Sequence, residues 1–243
     1  MSINNQLLLA IPFFNEEKKI KSCLKQLSKK VSIRKKRVRG NFDIVFINDG
    51  SSDNSLKIIN KFLKSRFTLL THKKNMGYGA AVKTAFKYAE KKKYRYFSIF
   101  PSDNQRKLND VFIMLDRVKK KNLDYIVGSK FHILKSIPFQ RKKGNIFFSI
   151  LSKLWGNHTK DVLSGFKLYS VKRVIGKIIQ NCPDNYSFDI VLNLYSNLKK
   201  IKFEEIDVHC DYKLHSSKMS NLYIIFFKMI YDLFYSIKNL KYL

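Results

Sequence analysis

The chain has 243 residues, room for one α/β domain and an appendage at about 150 residues per domain. Hydrophobic residues make up 45% and aromatics 14%, enough for a sizeable core, which excludes a disordered or fibrous chain. Lys and Arg total 48 against 18 Asp and Glu, a net +30 that excludes an acidic or neutral surface and points to polyanions: nucleic acid, nucleotides or anionic lipid headgroups.

Strand and helix patterns alternate along the chain. Residues 7–13 form a short apolar run containing Pro12 and followed by polar residues, a buried strand. Asn15 reads as the cap of a helix whose first turn carries Glu16 and Glu17 and whose stripe is Ile20, Cys23, Leu24, Leu27 and Val31. Lys18 to Arg39 holds eleven Lys or Arg and no acid, and residues 29–39 read as a basic loop. A second strand, 44–47, ends in the turn residues Asn48, Asp49, Gly50, Ser51, Ser52 and Asp53, and Leu56, Ile59 and Leu63 stripe the next helix. Strand 67–71 leads through Asn75, Met76, Gly77, Tyr78 and Gly79 into a helix reaching Tyr88. Strand 96–100 stops at Pro101, Ser102, Asp103, Asn104 and Gln105, and a helix with Leu108, Val111, Leu115 and Val118 precedes strand 125–127. Further on come a helix over 145–154, a strand over 165–169, a helix over 187–198 and a strand over 203–209. From Leu222, apolar residues recur every three or four positions, an amphipathic helix with a wide apolar face.

This alternation predicts a doubly wound, mostly parallel α/β sheet, whose ligands bind outside the carboxyl ends of the strands. Asp49, Asp103 and the segment Gly128, Ser129, Lys130 all fall at such ends. Cys23, Cys182 and Cys210 are far apart, and the five histidines show no metal spacing, so the sequence offers neither a disulfide framework nor a zinc site. The apolar start runs into Glu16 and Glu17 without a basic region or cleavage site, unlike a signal peptide. No stretch has the roughly 18–20 apolar residues that span a bilayer. These features predict a cytoplasmic protein.

In so basic a chain, carboxylates placed after apolar strands are the informative residues. Asp49 precedes a tight turn that lets backbone approach a ligand, and Asp103 with Gln105 offers oxygens to a hard divalent cation bridging a diphosphate. Taken singly, Asp-Gly is also a common turn, and Asp after Pro-Ser a common helix cap.

Taken together the blocks are more specific. Ile11-Pro12-Phe13-Phe14-Asn15-Glu16-Glu17, Asn48-Asp49-Gly50-Ser51-Ser52-Asp53, Asn75-Met76-Gly77-Tyr78-Gly79-Ala80-Ala81 and Ser102-Asp103-Asn104-Gln105 resemble the family 2 glycosyltransferases. Among these, the chain looks most like the polyprenyl-phosphate sugar transferases of the dolichyl-phosphate mannose synthase type. Gly128-Ser129-Lys130-Phe131, Ser164-Gly165-Phe166-Lys167, Ser187-Phe188-Asp189 and Ser217-Lys218 continue the match in order, over roughly residues 6–219. The resemblance implies a GT-A domain over 1–219. Residues 220–243 lie beyond it, and their wide aromatic-rich face with Lys228, Lys238 and Lys241 reads as a C-terminal amphipathic helix that packs on the core or lies in a membrane surface.

It implies a nucleotide-diphosphate sugar donor bound with Mg²⁺ or Mn²⁺. Pro12, Phe13, Asn15 and Glu16 would line the nucleotide, Asp49 would lie near the base, and Ser102 and Lys130 would also face the donor. Asp103 and Gln105 would sit at the metal, and Lys130, Arg141, Lys213 and Lys218 would face donor or acceptor phosphates. Asp103, Asp189, Arg141 and Lys213 would be the catalytic set. The chain departs from the pattern where Pro101 replaces the usual first metal-site Asp, and where Lys130, Lys167 and Lys213 replace Arg. Phe13 and Phe14 stand where the family carries a Tyr.

A lipid phosphate acceptor is largely dianionic at neutral pH, its second pKa being about 6, and needs no general base. A sugar hydroxyl needs a carboxylate to take its proton. The segment Tyr186-Ser187-Phe188-Asp189 has one acid and no pair, which favours polyprenyl phosphate at the cytoplasmic face of an anionic membrane. Asp189 is either a base or the anchor of a basic residue. Transfer to a saccharide hydroxyl, an inactive relative suggested by Pro101, and a basic nucleic-acid-binding protein are the rivals. The last lacks any nucleic-acid-binding signature, so nucleic acid is not an expected partner.

Overall fold

The computed structural model describes residues 6–33, 42–62, 67–131, 139–154, 156, 159–211 and 222–239. Its elements in chain order are β1 (Leu7–Phe13), α1 (Glu17–Ile33), β2 (Phe42–Asn48), α2 (Ser55–Phe62), β3 (Thr68–Thr71), α3 (Tyr78–Lys91), β4 (Tyr96–Ile99) and α4 (Leu108–Lys121). Then follow β5 (Tyr125–Ser129), α5 (Phe139–Lys153), β6 (Lys167–Ser170), α6 (Arg173–Asn181), α7 (Phe188–Leu198), β7 (Phe203–Asp207) and α8 (Leu222–Lys238).

The strands form one sheet in the order β3-β2-β1-β4-β6-β5-β7. All described pairings are parallel except those of β6, which runs antiparallel to β4 and β5. Alternation along β1 feeds two cores, as a sheet covered on both faces requires. Leu8 and Ala10 pack with α3, α6, α7 and α8. Leu7, Leu9, Ile11 and Phe13 pack with α1, α2 and α4. Burying each such large apolar side chain contributes about 1.5–3 kcal/mol.

Since the chain steps from β1 outward to β2 and β3 and then returns to β4 on β1's other side, the strand order reverses between β1 and β4. A crevice opens outside the carboxyl ends at such a point. Register deepens it: β1 pairs with β4 only as far as Ala10–Ile99, but with β2 to Phe13–Asn48.

Three sequence expectations are corrected. Helix α1 continues through Ile33, absorbing the first part of the expected basic loop, because nothing before Arg34 breaks it; residues 34–39 lie outside the described residues. Helix α5 begins at Phe139, six residues before the expected start, its first turns hidden by a basic run and Gly144. Helix α6 was not foreseen. Its Gly176 breaks the pattern in sequence yet is what lets it pack, since a Cβ there would lie 2.4 Å from the Phe86 ring of α3.

Candidate active site

The turns after β1 and β2 are knitted together by hydrogen bonds. Asn15 adopts a left-handed backbone (φ 52°) that Asn tolerates better than most residues. Its side-chain oxygen accepts from the Ser52 N–H at 2.8 Å and the Asp53 N–H at 3.3 Å. Its own N–H donates to Ser51 Oγ at 3.0 Å. Asn15 is therefore not the expected cap of α1: the Glu16 carbonyl accepts the first helical bond, from Ile20 at 2.8 Å. Asp53 takes over the capping, accepting from the Glu17 N–H at 3.0 Å and the Ser55 N–H at 2.9 Å. One carboxylate thus serves the N-termini of both α1 and α2, where negative charge is favoured.

Asp49 is buried. Its Oδ1 accepts from the Met76 N–H at 2.9 Å and meets His72 Nδ1 at 2.8 Å, while Oδ2 accepts from the Gly77 N–H at 2.9 Å. The residue expected beside the base thus fixes the loop leading into α3. Gly77 and Gly79 let another segment come close: Cβ atoms there would lie 2.5 Å from the Asp184 carbonyl and 2.1 Å from the Pro183 carbonyl. The same Asp184 carbonyl accepts the Ala80 N–H at 2.9 Å, so the protein itself caps α3. Of the expected nucleotide-lining residues, Phe13 is buried in the core on the α1 side, and only its backbone reaches the rim, where its carbonyl accepts the Asp49 N–H. Pro12 and Glu16 are half-buried, and the neighbouring Phe14, which is not in that set, is exposed.

Asp103 leaves the same edge, with β1 alone between its strand and that of Asp49. At about 4.8 Å per strand, the two strand ends lie roughly 10 Å apart across one crevice. Helix α1 holds this loop too, Gln26 Nε2 donating to the Arg106 carbonyl at 3.0 Å and to Asn104 Oδ1 at 3.3 Å. Asp103 is half-buried, its Oδ1 accepting the Gln105 N–H at 3.1 Å. Ser102 and Gln105 are buried. The Gln105 side chain is turned toward Cys210, whose thiol points at Oε1 from 4.0 Å, and its Nε2 has no hydrogen-bond partner among the described residues. Burial pushes the Cys210 thiol up; Arg106 and Lys130 oppose this while Asp103 and Asp161 add to it, so four charges from three different segments act on this thiol.

Two of those four were missed in the sequence. Arg106 is buried, its guanidinium 5.4 Å from the centre of the Phe166 ring. Asp161 is fully buried, accepting from the Lys130 N–H at 2.9 Å and from Asn145 Nδ2 at 3.0 Å. Burial alone would raise its pKa, but the Lys130 charge and these hydrogen bonds hold it below the usual carboxylate range. The available signal was an acid followed by Val162 and Leu163 in a chain with few acids.

Asp189, in the first turn of α7, is buried in an ion pair with Lys167 at the start of β6. Burial raises the Asp189 carboxyl, and the Lys167 ammonium opposes the rise. Lys167 Nζ also donates to the Ser164 carbonyl, and Ser164 Oγ donates to the Gly128 carbonyl at 2.7 Å, tying this pair to the β5 end that carries Lys130. Lys213 and Lys218 lie outside the described residues, as does the side chain of Arg141, whose backbone belongs to α5.

The donor set suits one kind of metal binding. Among the described residues no cluster of three His, Cys, Asp or Glu could hold an ion alone. A half-buried carboxylate with one oxygen bound to a backbone N–H fits a hard cation that takes its remaining ligands from a diphosphate and water.

Residues 9–175 match the model of glycosyl transferase family 2. The chain belongs to this family. It is 35% identical over 152 residues to an uncharacterized protein of Methanocaldococcus jannaschii, a match covering 61% of each chain. It is 24% identical to the UDP-N-acetylglucosamine–dolichyl-phosphate N-acetylglucosaminyltransferase of Methanococcus voltae, covering 93% of this chain and 94% of that one. It is 26% identical to the dolichyl-phosphate beta-glucosyltransferase of Saccharomyces cerevisiae, covering 93% and 72%. Among solved structures, glucosyl-3-phosphoglycerate synthase from Mycobacterium tuberculosis, crystallised with Mn²⁺, UDP and glucosyl-3-phosphoglycerate, superposes with a TM-score of 0.66 at 13% identity over 96% of this chain and 80% of that one. Residues 1–349 of S. aureus TarS with UDP-GlcNAc give 0.62 at 16% identity, over 96% and 67%. The fold is thus GT-A and the protein a family 2 glycosyltransferase related to polyprenyl-phosphate sugar transferases.

Proposed function

We propose that this glycosyltransferase moves a hexose from a nucleotide-diphosphate sugar to a polyprenyl phosphate, with inversion, at the cytoplasmic face of a membrane. The observation that carries this reading is Asp189. The one acid where a general base for a hydroxyl acceptor would stand is committed to Lys167 in a buried ion pair. An acceptor that is already an anion needs no such base. The named activities of the Methanococcus voltae and Saccharomyces cerevisiae relatives support the same acceptor class.

In the reaction an acceptor phosphate oxygen forms a bond to the anomeric carbon as the bond to the donor diphosphate breaks, and the leaving diphosphate keeps the electron pair. No proton changes hands. The 14–17 and 51–54 turns form the floor under the nucleotide, kept in shape by Asn15 and Asp53. Asp103 would hold Mg²⁺ or Mn²⁺, which when bound offsets charge on the diphosphate. Lys130, its backbone fixed by Asp161, places a cation where negative charge grows, and Arg141, Lys213 and Lys218 add positive charge for the phosphates. Asp189 acts as the anchor of Lys167 and so positions the β5 and β6 ends.

The test is transfer from labelled UDP-glucose, UDP-GlcNAc or GDP-mannose, with Mn²⁺, to a short polyprenyl phosphate or to glycans. Label is expected on the lipid phosphate, and Asp103→Ala is expected to slow its appearance by about 100-fold or more, since a bound metal supplies several kcal/mol. Label only on glycans, or on neither, would overturn the proposal.

A further inference from the structure

On α8 the core side behaves as the periodicity foretold: Met229 and Leu233 are buried, with Ile225, Phe226 and Ile230 packed around them. The opposite side should be polar in a helix lying on a soluble domain. Instead it carries Tyr223, Phe227, Tyr231 and Phe234, each between 62% and 71% exposed, flanked by Ile224 and Tyr235. Helix α5 repeats the pattern. Phe139, Phe147, Ile150 and Leu154 lie on one stripe and are all exposed. The two stripes are joined by aromatic contacts, Phe147 to Phe226 at 5.2 Å and Phe226 to Phe227 at 5.9 Å between ring centres. With aromatic side chains presenting about 150–250 Å² each, the joined patch is on the order of 1,000 Å². Ordinary monomers rarely expose more than a few hundred.

Among the described residues, the exposed charges that α5 and α8 themselves carry are all positive. Lys228 and Lys238 lie on the outer part of α8, and Lys153 on the last turn of α5. Lys143 stands within the α5 stripe with its ammonium 4.4 Å from the Phe139 ring centre. The single acid on α8, Asp232, is turned inward, where it accepts from Ser187 Oγ at 2.6 Å and Asn185 Nδ2 at 2.9 Å. Apolar rings ringed by lysines, with the acid withdrawn, are complementary to an anionic lipid surface: rings enter the headgroup boundary and ammonium groups meet phosphates. Among the described residues no helix is long and apolar enough to cross a membrane, so contact through these helices would be in-plane.

We infer that α5 and α8 together form a docking face for an anionic bilayer. This rests on the proposed lipid acceptor for its purpose but not for its physics. Asp232 binds the turn that begins α7, and the same turn caps α3 through Asp184, so hydrogen bonds link the docked face to the catalytic edge.

Co-sedimentation of the full chain with vesicles that contain no polyprenyl phosphate tests the face apart from the reaction. Wild type is expected to bind vesicles of 30% phosphatidylserine in phosphatidylcholine, and at least about tenfold less to pure phosphatidylcholine, in keeping with electrostatic attraction by several lysines. The pairs Phe227→Glu with Tyr231→Glu, and Phe147→Glu with Ile150→Glu, are each expected to weaken binding by about tenfold or more, with unchanged circular dichroism and unfolding midpoint. Ile113→Glu, an equally exposed change on α4 across the sheet, should bind as wild type. Failure of wild type to bind overturns the inference, as does full binding by both double variants. Binding lost in the α8 pair alone removes α5 from the face. A wild-type dimer that the Glu pairs split, with vesicle binding intact, would make the patch a contact between copies and likewise overturn it. Intact docking without transfer to lipid would count against the proposed function alone.

Discussion

The two sides of the crevice reach fixed geometry by different routes. On the β1–β2 side the turns are short and next to one another, and they are locked chiefly by backbone N–H groups donated to the side chains of Asn15, Asp49 and Asp53. On the β5–β6 side, residues from distant parts of the chain meet as charges at buried carboxylates: Lys167 with Asp189, and the half-buried Lys130 and buried Arg106 around Asp161. A lock made of backbone hydrogen bonds loses strength one bond at a time. A buried charge stripped of its partner loses far more, because water cannot replace what was removed. In the proposed reaction the β1–β2 side would hold the nucleotide and the β5–β6 side would meet the group whose charge changes.

The sharpest way to break this contrast is Lys167→Met. Removing the ammonium leaves the Asp189 carboxylate buried without its counter-ion, and the expected loss of stability is about 3–5 kcal/mol at neutral pH. The pH dependence has a definite sign. Burial already raises the Asp189 carboxyl in the native state, and losing Lys167 raises it further. The native variant therefore binds a proton that the unfolded chain releases near its ordinary value of about 3.9. Stability of the variant relative to wild type should improve as pH falls from the raised native value toward about 3.9, and the full penalty holds, without growing further, at pH above the raised value. Urea unfolding at several pH values measures this. A penalty that does not change between mildly acidic and neutral pH would show that Asp189 carries no buried charge. The double change Lys167→Met, Asp189→Leu should recover much of the loss.

How legible each side was in the sequence follows from the same contrast. The β1–β2 turns announce themselves because their chemistry is local: Asn48 to Asp53 is a compact run of turn residues, and the strands before it are continuous apolar runs. What the run could not convey was direction. Asn15 was read as a cap because Asn before two acids usually is one, whereas its left-handed backbone sends the side chain across to the neighbouring turn. Asp49 looked free to meet a ligand, and only the return of the chain through His72 to Gly77 occupies it. On the β5–β6 side the resemblance supplied Lys130, Lys167 and Asp189 as separate blocks. The blocks held Lys167 and its partner Asp189 without showing that they pair, and the partner of Lys130 was not marked at all, since Asp161 lies 31 residues beyond it and belongs to no block. The sheet itself was read correctly as mostly parallel, but β6, short and antiparallel, gave no local sign of its direction.

Asp49→Asn sharpens the comparison from the β1–β2 side. The change keeps size and one acceptor but turns an amide NH₂ against a group that already donates, Gly77 on one side or Met76 and His72 on the other. The expected cost is about 2–3 kcal/mol, from losing hydrogen bonds to a charged acceptor and leaving a buried donor unmet. Hydrogen exchange at Met76 and Gly77 should quicken, while the Lys130 and Asp161 region is unchanged. Equal quickening on both sides would mean that the two halves are one cooperative unit, and the contrast would fail.

The smallest expected effect is at Asn15, where two contributions can be separated by three substitutions. Asn15→Ala removes the acceptor for the Ser52 and Asp53 N–H groups and forces a Cβ without local hydrogen bonding into φ 52°. A cost of about 1–2 kcal/mol follows. Asn15→Gly removes the same acceptor but accepts positive φ freely, so it should cost less than Ala by up to about 1 kcal/mol. Asn15→Asp keeps an acceptor that both N–H groups can use and should cost least. Denaturant midpoints at constant slope give the order Ala, Gly, Asp. If Ala and Gly cost the same, the backbone at Asn15 stores no strain and the lock is hydrogen bonding alone. If Asp costs as much as Ala, the acceptor is irrelevant, and the turns after β1 and β2 are held by something other than the bonds that join them.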